Sequence, residues 1–261
     1  MILRDKVVLL TGATGGIGGA LARALAAQGA RLILSGRRAE QLAAVASGIT
    51  GSVTLDADLA CRNAATTLAE QALAVTGRVD VLINNAAGFF CGTQADVGDA
   101  AAARAVFESN YWSALALTRA LVPGMVQRQC GAVVNVSSIN AIAAGVLLGH
   151  YGASKAALWN ATETLRLELR NTGVHVMLVA LGAVATAALD KTKQLPGYAN
   201  MLKGVPVGTP EKSSALIVRG LQRKTHEVVY PRPMWFLRAL PLFAKHMSYK
   251  LMPLEAPLCG G

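Results

Sequence analysis

Residues 6–18 read KVVLLTGATGGIG, and the fold follows from them. Lys6 to Thr11 is a short run of Val and Leu, the pattern of a buried strand. TGATGGIG, Thr11 to Gly18, comes next, and an Ala/Leu-rich helical stretch continues to Gln28. Strand, glycine turn and helix in that order give a glycine motif its meaning. Gly12, Gly15, Gly16 and Gly18, with Thr14 and Ile17 between them, let a backbone approach a pyrophosphate closely. The helix N-terminus adds amide donors and positive potential.

Outward from this turn, strands and helices alternate. Arg31–Ser35, Val53–Leu55 and Val79–Asn84 read as strands, and Ala39–Ser47 and Arg62–Val75 as helices. Ala132–Val136, Val174–Ala180 and Glu227–Tyr230 extend the strand set to seven. Alternation of this kind implies βαβ units and right-handed crossovers. The expected fold is therefore α/β: a Rossmann-like, doubly wound, seven-stranded parallel sheet with helices on both faces. A hydrophobic content of 53% suits such a doubly covered sheet. One domain is expected over residues 1–230, followed by a C-terminal tail, residues 231–261.

Composition narrows the function. The formal charge of +10 points to an anionic partner or to a solvated basic surface. No nucleic-acid module and no long basic run accompanies it, so nucleic acid is not an expected partner. Cys61, Cys91, Cys130 and Cys259 have no metal or redox spacing and read as free thiols of a reducing, cytoplasmic compartment. His150, His175, His226 and His246 are dispersed, so no metal site is expected. Arg4, Asp5 and Lys6 interrupt the first apolar residues, which argues against a signal peptide. Val174–Leu189 is the nearest approach to a membrane span and is too short for one.

The second strand ends in SGRR. An acidic residue there would accept from a free ribose 2′-hydroxyl, and none is present. Arg37 and Arg38 stand instead where guanidiniums can clamp a 2′-phosphate, so the expected cofactor is NADP(H); the other reading is that they cap the surface of the next helix. The fourth strand ends in NNAAG, Asn84 to Gly88, small residues that permit close cofactor approach. Phe89, Phe90 and Cys91 follow, candidates either for a substrate mouth or for core packing.

Residues 135–155 read NVSSINAIAAGVLLGHYGASK. A buried run ends in Ser137 and Ser138, and a helix then carries Tyr151 and Lys155. The i, i+4 spacing puts phenol and ammonium on one helical face. A nearby ammonium favours the phenolate, so a lowered tyrosine pKa is expected. A phenol so tuned exchanges protons near neutral pH, and Ser138 stands ready to hold the oxygen in front of it. No G-x-S-x-G elbow surrounds either serine, which leaves His150 outside any nucleophile reading. Ala100–Gln129 reads as a long helical region broken near Glu108. Its Asn110 is expected to face solvent.

The ordered set resembles the short-chain dehydrogenase/reductase family over Lys6 to about Tyr230: TGATGGIG, Asp58, NNAAG, Asn110, Ser138, then Tyr151-Gly-Ala-Ser-Lys155. Ser138 precedes Tyr151 by thirteen residues, the interval the family commonly shows, which favours it over Ser137. The resemblance implies that Tyr151 is the general acid in reduction and the base in oxidation. Lys155 would tune it and bind the nicotinamide ribose, and Ser138 would hold the substrate oxygen. Asn110 would position a water leading to Lys155. Asp58 with Leu59 would contact the adenine and Asn84 the cofactor backbone, with Asn85, Ala86 and Ala87 beside it. Gly182 and Val184 would lie near the nicotinamide, and Thr186 would meet its carboxamide. Two departures stand out: Ala87 occupies the usual glycine place, and Leu181-Gly182 replaces Pro-Gly, which frees the backbone there.

Residues 190–208 resemble the family's substrate lid, with Pro196, Gly197, Gly204 and Pro206. Thr209-Pro210 opens a further helix, Glu211–Lys224. The tail mixes Trp235, Phe236, Phe243 and Tyr249 with Arg232, Arg238, Lys245 and Lys250, and Pro241 is expected to kink any helix there. It has no acidic residue from Val228 to Leu254, a composition that suits peripheral membrane contact; packing on its own fold or on a partner subunit is the other reading. The leading function is hydride transfer between NADP(H) and a hydrophobic carbonyl or secondary alcohol, 3-oxoacyl or steroid-like substrates included. The rival is a non-catalytic NADP(H) sensor or membrane-associated binding module. The long helices Ala100–Gln129 and Gly152–Asn171 resemble the family's dimer and tetramer surfaces, and their Ala-rich faces allow close packing, so the resemblance implies a homodimer or homotetramer.

Overall fold

The computed structural model describes residues 1–195 and 197–251, the side chains of Pro241 and Leu251 excepted. Pro196 and Cys259 lie outside the described residues. In chain order the first half comprises β1 (Val7–Thr11), α1 (Gly16–Ala26), β2 (Arg31–Gly36), α2 (Ala39–Ala46), β3 (Val53–Asp56), α3 (Ala64–Thr76), β4 (Val81–Asn84), α4 (Gln94–Val97) and α5 (Ala101–Phe107). A π-helical turn, Glu108–Trp112, joins α5 to α6 (Ser113–Gln127). The second half comprises β5 (Gly131–Ser138), a 3₁₀ turn (Ile139–Ala141), α7 (Gly149–Glu168), β6 (Val174–Leu181), α8 (Ala187–Lys193), α9 (Tyr198–Leu202), α10 (Pro210–Arg223), β7 (Glu227–Tyr230), α11 (Met234–Ala239) and α12 (Pro241–Leu251).

All seven strands pair in parallel, in the order β3-β2-β1-β4-β5-β6-β7. The expected Rossmann-like sheet is therefore present. Alternate side chains of each strand feed opposite faces. Val8 and Leu10 join one core with Leu34, Ile83 and Val134, under Leu21 of α1 and Ile217 of α10. Val7 and Leu9 join the other with Leu82 and Val133, under Leu68 of α3 and Leu117 of α6. Burial on both faces accounts for the near-continuous apolar strands. Strand order reverses between β1 and β4, so their C-terminal ends open a crevice, the place where open α/β sheets bind ligands.

The helical break expected near Glu108 is the π turn, which lies in the middle of the Ala100–Gln129 region. Thr209 caps α10 as expected, its hydroxyl accepting from Lys212 N at 3.2 Å, with Pro210 at the first turn. Pro241 does not kink a helix: α11 ends at Ala239 and Pro241 starts α12, where a missing N–H costs nothing. No helix among the described residues is long and apolar enough to cross a membrane.

Candidate active site

The glycine turn is built around close contacts that a side chain would block. Gly12 has φ +67°, and a Cβ on it would sit 2.7 Å from Ala86 Cα. A Cβ on Gly18 would sit 2.0 Å from Gly12 O, so α1 leaves the turn with its first residues pressed against it. Asn85 fastens this turn to the end of β4: its Nδ2 donates to Thr11 O at 2.9 Å and to Gly12 O at 3.2 Å. Gly15 precedes α1 with no side-chain cap, and the first turn holds no acidic residue. The amides there remain available to an anion. A methyl on Gly16 would meet Thr186 Cγ2 at 2.9 Å, so Thr186 closes the other side of the cradle. These residues fit a dinucleotide pyrophosphate.

Asn84 corrects one expectation. It is buried, and its Nδ2 donates to Asn135 Oδ1 at 2.8 Å inside the sheet; Asn85, not Asn84, faces the crevice. Asn135 donates in turn to Thr162 of α7 at 2.9 Å. At the other end of the crevice, Arg37 and Arg38 follow β2, are exposed and form no ion pair with any described residue. Asp58 is exposed, accepting from Ala60 N at 3.1 Å, while Leu59 is buried.

A cavity of about 330 Å³ brings Ser138, Tyr151 and Lys155 together with Ile17, Asn85, Ala87, Gly182, Val184 and Thr186. Its remaining walls are mostly apolar: Phe89, Ile139 and Leu148, then Leu189 and Met201 of α8 and α9, then Met234 and Met247 of α11 and α12. Phe89 meets the Tyr151 ring edge-on, centroids 5.6 Å apart. Of the three residues after NNAAG, Phe89 alone lines this cavity. A larger depression of about 670 Å³ lies among Arg62, Asp99, Phe107, Trp112 and His150. Within it Arg104 pairs with Asp99 at 2.6 Å and His150 with Gly98 O at 2.7 Å, and none of Ser138, Tyr151 and Lys155 lines it.

Lys155 is only 2% exposed, and its Nζ donates to Val136 O at 2.8 Å. Burial without a carboxylate partner lowers its pKa to about 8. Its ammonium lies 5.9 Å from the centroid of the Tyr151 ring. The expected lowering of the tyrosine pKa is overturned. Part of the ring faces the cavity, but protein encloses the phenol, and that burial raises its pKa above the ordinary value; a hydrogen bond with Ser138 offsets this in part. Desolvation exceeds the opposing effect of that hydrogen bond.

Asn110 is not solvent-facing. It is 1% exposed, in the π turn, and its amide is fully used within the protein. Oδ1 accepts from Gly88 N at 2.6 Å and Ser109 Oγ at 3.2 Å; Nδ2 donates to Gly88 O at 3.1 Å and Ser154 Oγ at 2.9 Å. The amide ties the end of the NNAAG turn to the helix that carries Tyr151, and no capacity is left in it for a water. The freedom expected after β6 is also absent. Ala185 N donates to Gly208 O at 2.9 Å and Gly208 N to Ala183 O at 2.8 Å, a two-residue bridge that holds this loop where a proline would have. Thr186 then bonds Val184 O at 3.1 Å.

One cavity residue gave no signal in the sequence. Tyr198, in the polar segment 190–208, is 1% exposed, and its hydroxyl donates to Val146 O at 2.5 Å, fastening α9 over the loop before α7. A polar glycine- and proline-bearing segment has no periodicity from which a single inward ring can be picked out.

Residues 6–196 match the family model described as short chain dehydrogenase. The chain is 32% identical over 231 residues to "Ketoacyl reductase HetN" of Nostoc sp., covering 87% of this chain and 79% of that one. It is 33% identical over 268 residues to "Dehydrogenase/reductase SDR family member 7B" of Bos taurus, covering 97% and 82%. A short-chain dehydrogenase from Sphingobium yanoikuyae, solved in complex with NADPH, superposes with a TM-score of 0.78 at 25% identity, covering 96% of this chain and 98% of that one. With the parallel sheet, the glycine cradle and the Ser138–Tyr151–Lys155 cavity on one chain, these likenesses place it in the short-chain dehydrogenase/reductase family of oxidoreductases.

Proposed function

We propose that this chain is an NADP(H)-dependent carbonyl reductase, running in reverse as a secondary-alcohol dehydrogenase, on an apolar substrate. The observation that carries the reading is the convergence of Ser138, Tyr151 and Lys155 on one mostly apolar cavity. When bound, the nicotinamide supplies or accepts the hydride, the electronic step that side chains cannot perform. The glycine turn, Asn85 to Ala87 and Thr186 hold the pyrophosphate and nicotinamide end, Asp58 and Leu59 the adenine, and Lys155 the ribose hydroxyls. Tyr151 gives its phenolic proton to the substrate oxygen as negative charge builds there. Ser138 donates a second hydrogen bond to the same oxygen, and two donors aimed at developing charge lower the barrier. The raised tyrosine pKa suits this direction, because it keeps the phenol protonated at neutral pH. The lid over the cavity, residues 190–208, excludes water.

The 2′-phosphate is assigned to Arg37 and Arg38, which face solvent without carboxylate partners among the described residues. The NADPH bound in the Sphingobium relative supports the same choice. Arg37→Ala with Arg38→Ala is expected to raise the KM for NADPH by roughly 10- to 100-fold, the value of one or two charge-assisted bonds, and to leave the KM for NADH unchanged. Equal losses with both cofactors would remove this assignment. The substrate class is tested by NADPH oxidation against a panel of ketones, aldehydes and 3-oxoacyl thioesters; "Ketoacyl reductase" among the relatives makes the thioesters the first to try. Turnover confined to small hydrophilic carbonyls would overturn the apolar reading. A homodimer or homotetramer through α6 and α7 is part of the same proposal.

A further inference from the structure

The two helices of the tail do two things at once. Met234 and Leu237 of α11, with Ala244, Met247 and Ser248 of α12, turn inward and wall the cavity. Their other side carries Trp235, Phe236, Leu240, Leu242, Phe243 and Tyr249, each between 48% and 84% exposed. These six residues are half of the twelve large exposed apolar side chains among the described residues, gathered within fifteen positions. Singly scattered apolar residues need no partner, whereas a contiguous group of this kind does.

The charge around the group selects the partner. Arg232, Lys245 and Lys250 are exposed and form no ion pair with any described residue. Arg238 is different: it is held inward by Glu227 at 2.8 Å and lies 5.2 Å over the Trp159 ring, so it anchors α11 and does not serve the outer face. With no acidic residue from Val228 to Leu254, the two helices themselves carry aromatic and aliphatic bulk among cations only. A second copy docking face to face would bring the same cations against one another. We infer that the outer face of α11 and α12 is a docking surface for an anionic lipid bilayer, with the aromatic side chains entering the headgroup boundary and Lys245 and Lys250 meeting lipid phosphates and carboxylates. The helices that wall the cavity are then the ones that rest on the lipid.

The proposal stands on this surface and not on the active-site reading, so either can fail alone. It is tested with the full chain by co-sedimentation with vesicles of phosphatidylcholine containing about one third phosphatidylserine, at about 0.05 M salt. Binding is expected there, with little to pure phosphatidylcholine and a loss at about 0.5 M salt. Lys245→Glu with Lys250→Glu, and separately Phe236→Ser with Phe243→Ser, are each expected to weaken binding about tenfold or more with an unchanged circular dichroism spectrum. Trp235 emission should shift to the blue on vesicles, a shift absent from Trp235→Phe, which retains Trp112 and Trp159. No sedimentation of the wild type, or equal sedimentation of the charge-reversed variant, would overturn the proposal. So would an oligomer in solution that Phe236→Ser with Phe243→Ser dissociates, which would assign the face to a second copy.

Discussion

Tyr151→Phe is expected to lower kcat for NADPH-dependent carbonyl reduction by about 10³-fold while leaving the fold intact. General acid catalysis contributes about 10²- to 10⁴-fold, and no other phenol lines the reacting end of the cavity beside Ser138 and Lys155. The ring itself stays: Phe keeps the edge-on contact with Phe89, so packing is retained and one buried polar atom is removed. Thermal denaturation should therefore show no loss of stability, and NADPH binding by fluorescence should persist. The same variant separates the enzyme from a dinucleotide sensor, which has no use for this hydroxyl. If kcat survives within a few-fold, the proton donor is another group and the proposed mechanism fails. Because burial raises the phenol's pKa, reduction should not decline through loss of its proton near neutral pH, and oxidation, which needs the phenolate, should rise with pH.

Lys155→Met should separate activity from stability. Loss of the cation is expected to reduce kcat/KM by at least about 10²-fold, since in the proposed mechanism the charge beside Tyr151 and the ribose donor disappear together. Stability should move the other way. In the folded chain the lysine pKa is lowered to about 8, against 10.5 in the ordinary state, so between these values the unfolded chain binds the extra proton. Stability attributable to this group rises with pH across that window and is least below pH 8, where its buried charge costs on the order of 3 kcal/mol. Methionine removes that charge and forfeits the bond to Val136 O, worth about 1 kcal/mol. At pH 7 the variant should be as stable as the wild type or more so, and the wild type should recover the difference towards pH 10. Denaturant titrations at both pH values decide it; a difference independent of pH would show that the ammonium is not the group desolvated. The wild-type kcat/KM for reduction should also fall as pH rises past about 8.

The sheet was legible because each strand is buried on both faces, and that requirement writes continuous Val and Leu runs between helical periods. β1 and its turn illustrate this: five buried residues, then glycines placed where any Cβ would strike Ala86 or Gly12. Strand ends were read a few residues short, as with Ser137 and Ser138, which pair with Ala180 and Leu181 inside the sheet although hydroxyls look like punctuation. The cluster of Ser138, Tyr151 and Lys155 was readable from spacing, since a helical turn fixes which residues share a face. What spacing could not give was the medium around them. The sign of the tyrosine shift depends on how much protein surrounds the phenol, and the fate of Asn110 on a π turn that carries it inward; both are set by distant segments. The role of Tyr198 was unreadable for the same reason.

The hydrogen bonds of Asn110 to Gly88 and Ser154 have a consequence for how this enzyme can change its choice of substrate. They weld the NNAAG turn to the helix bearing Tyr151, so in the proposed mechanism hydride path and proton path keep a constant separation whatever occupies the remaining volume. Variation is then free to act on α8, α9, α11 and α12, whose side chains shape the void without touching that weld. Recombining these four helices from relatives onto an unaltered sheet should retarget the catalyst and preserve its chemistry.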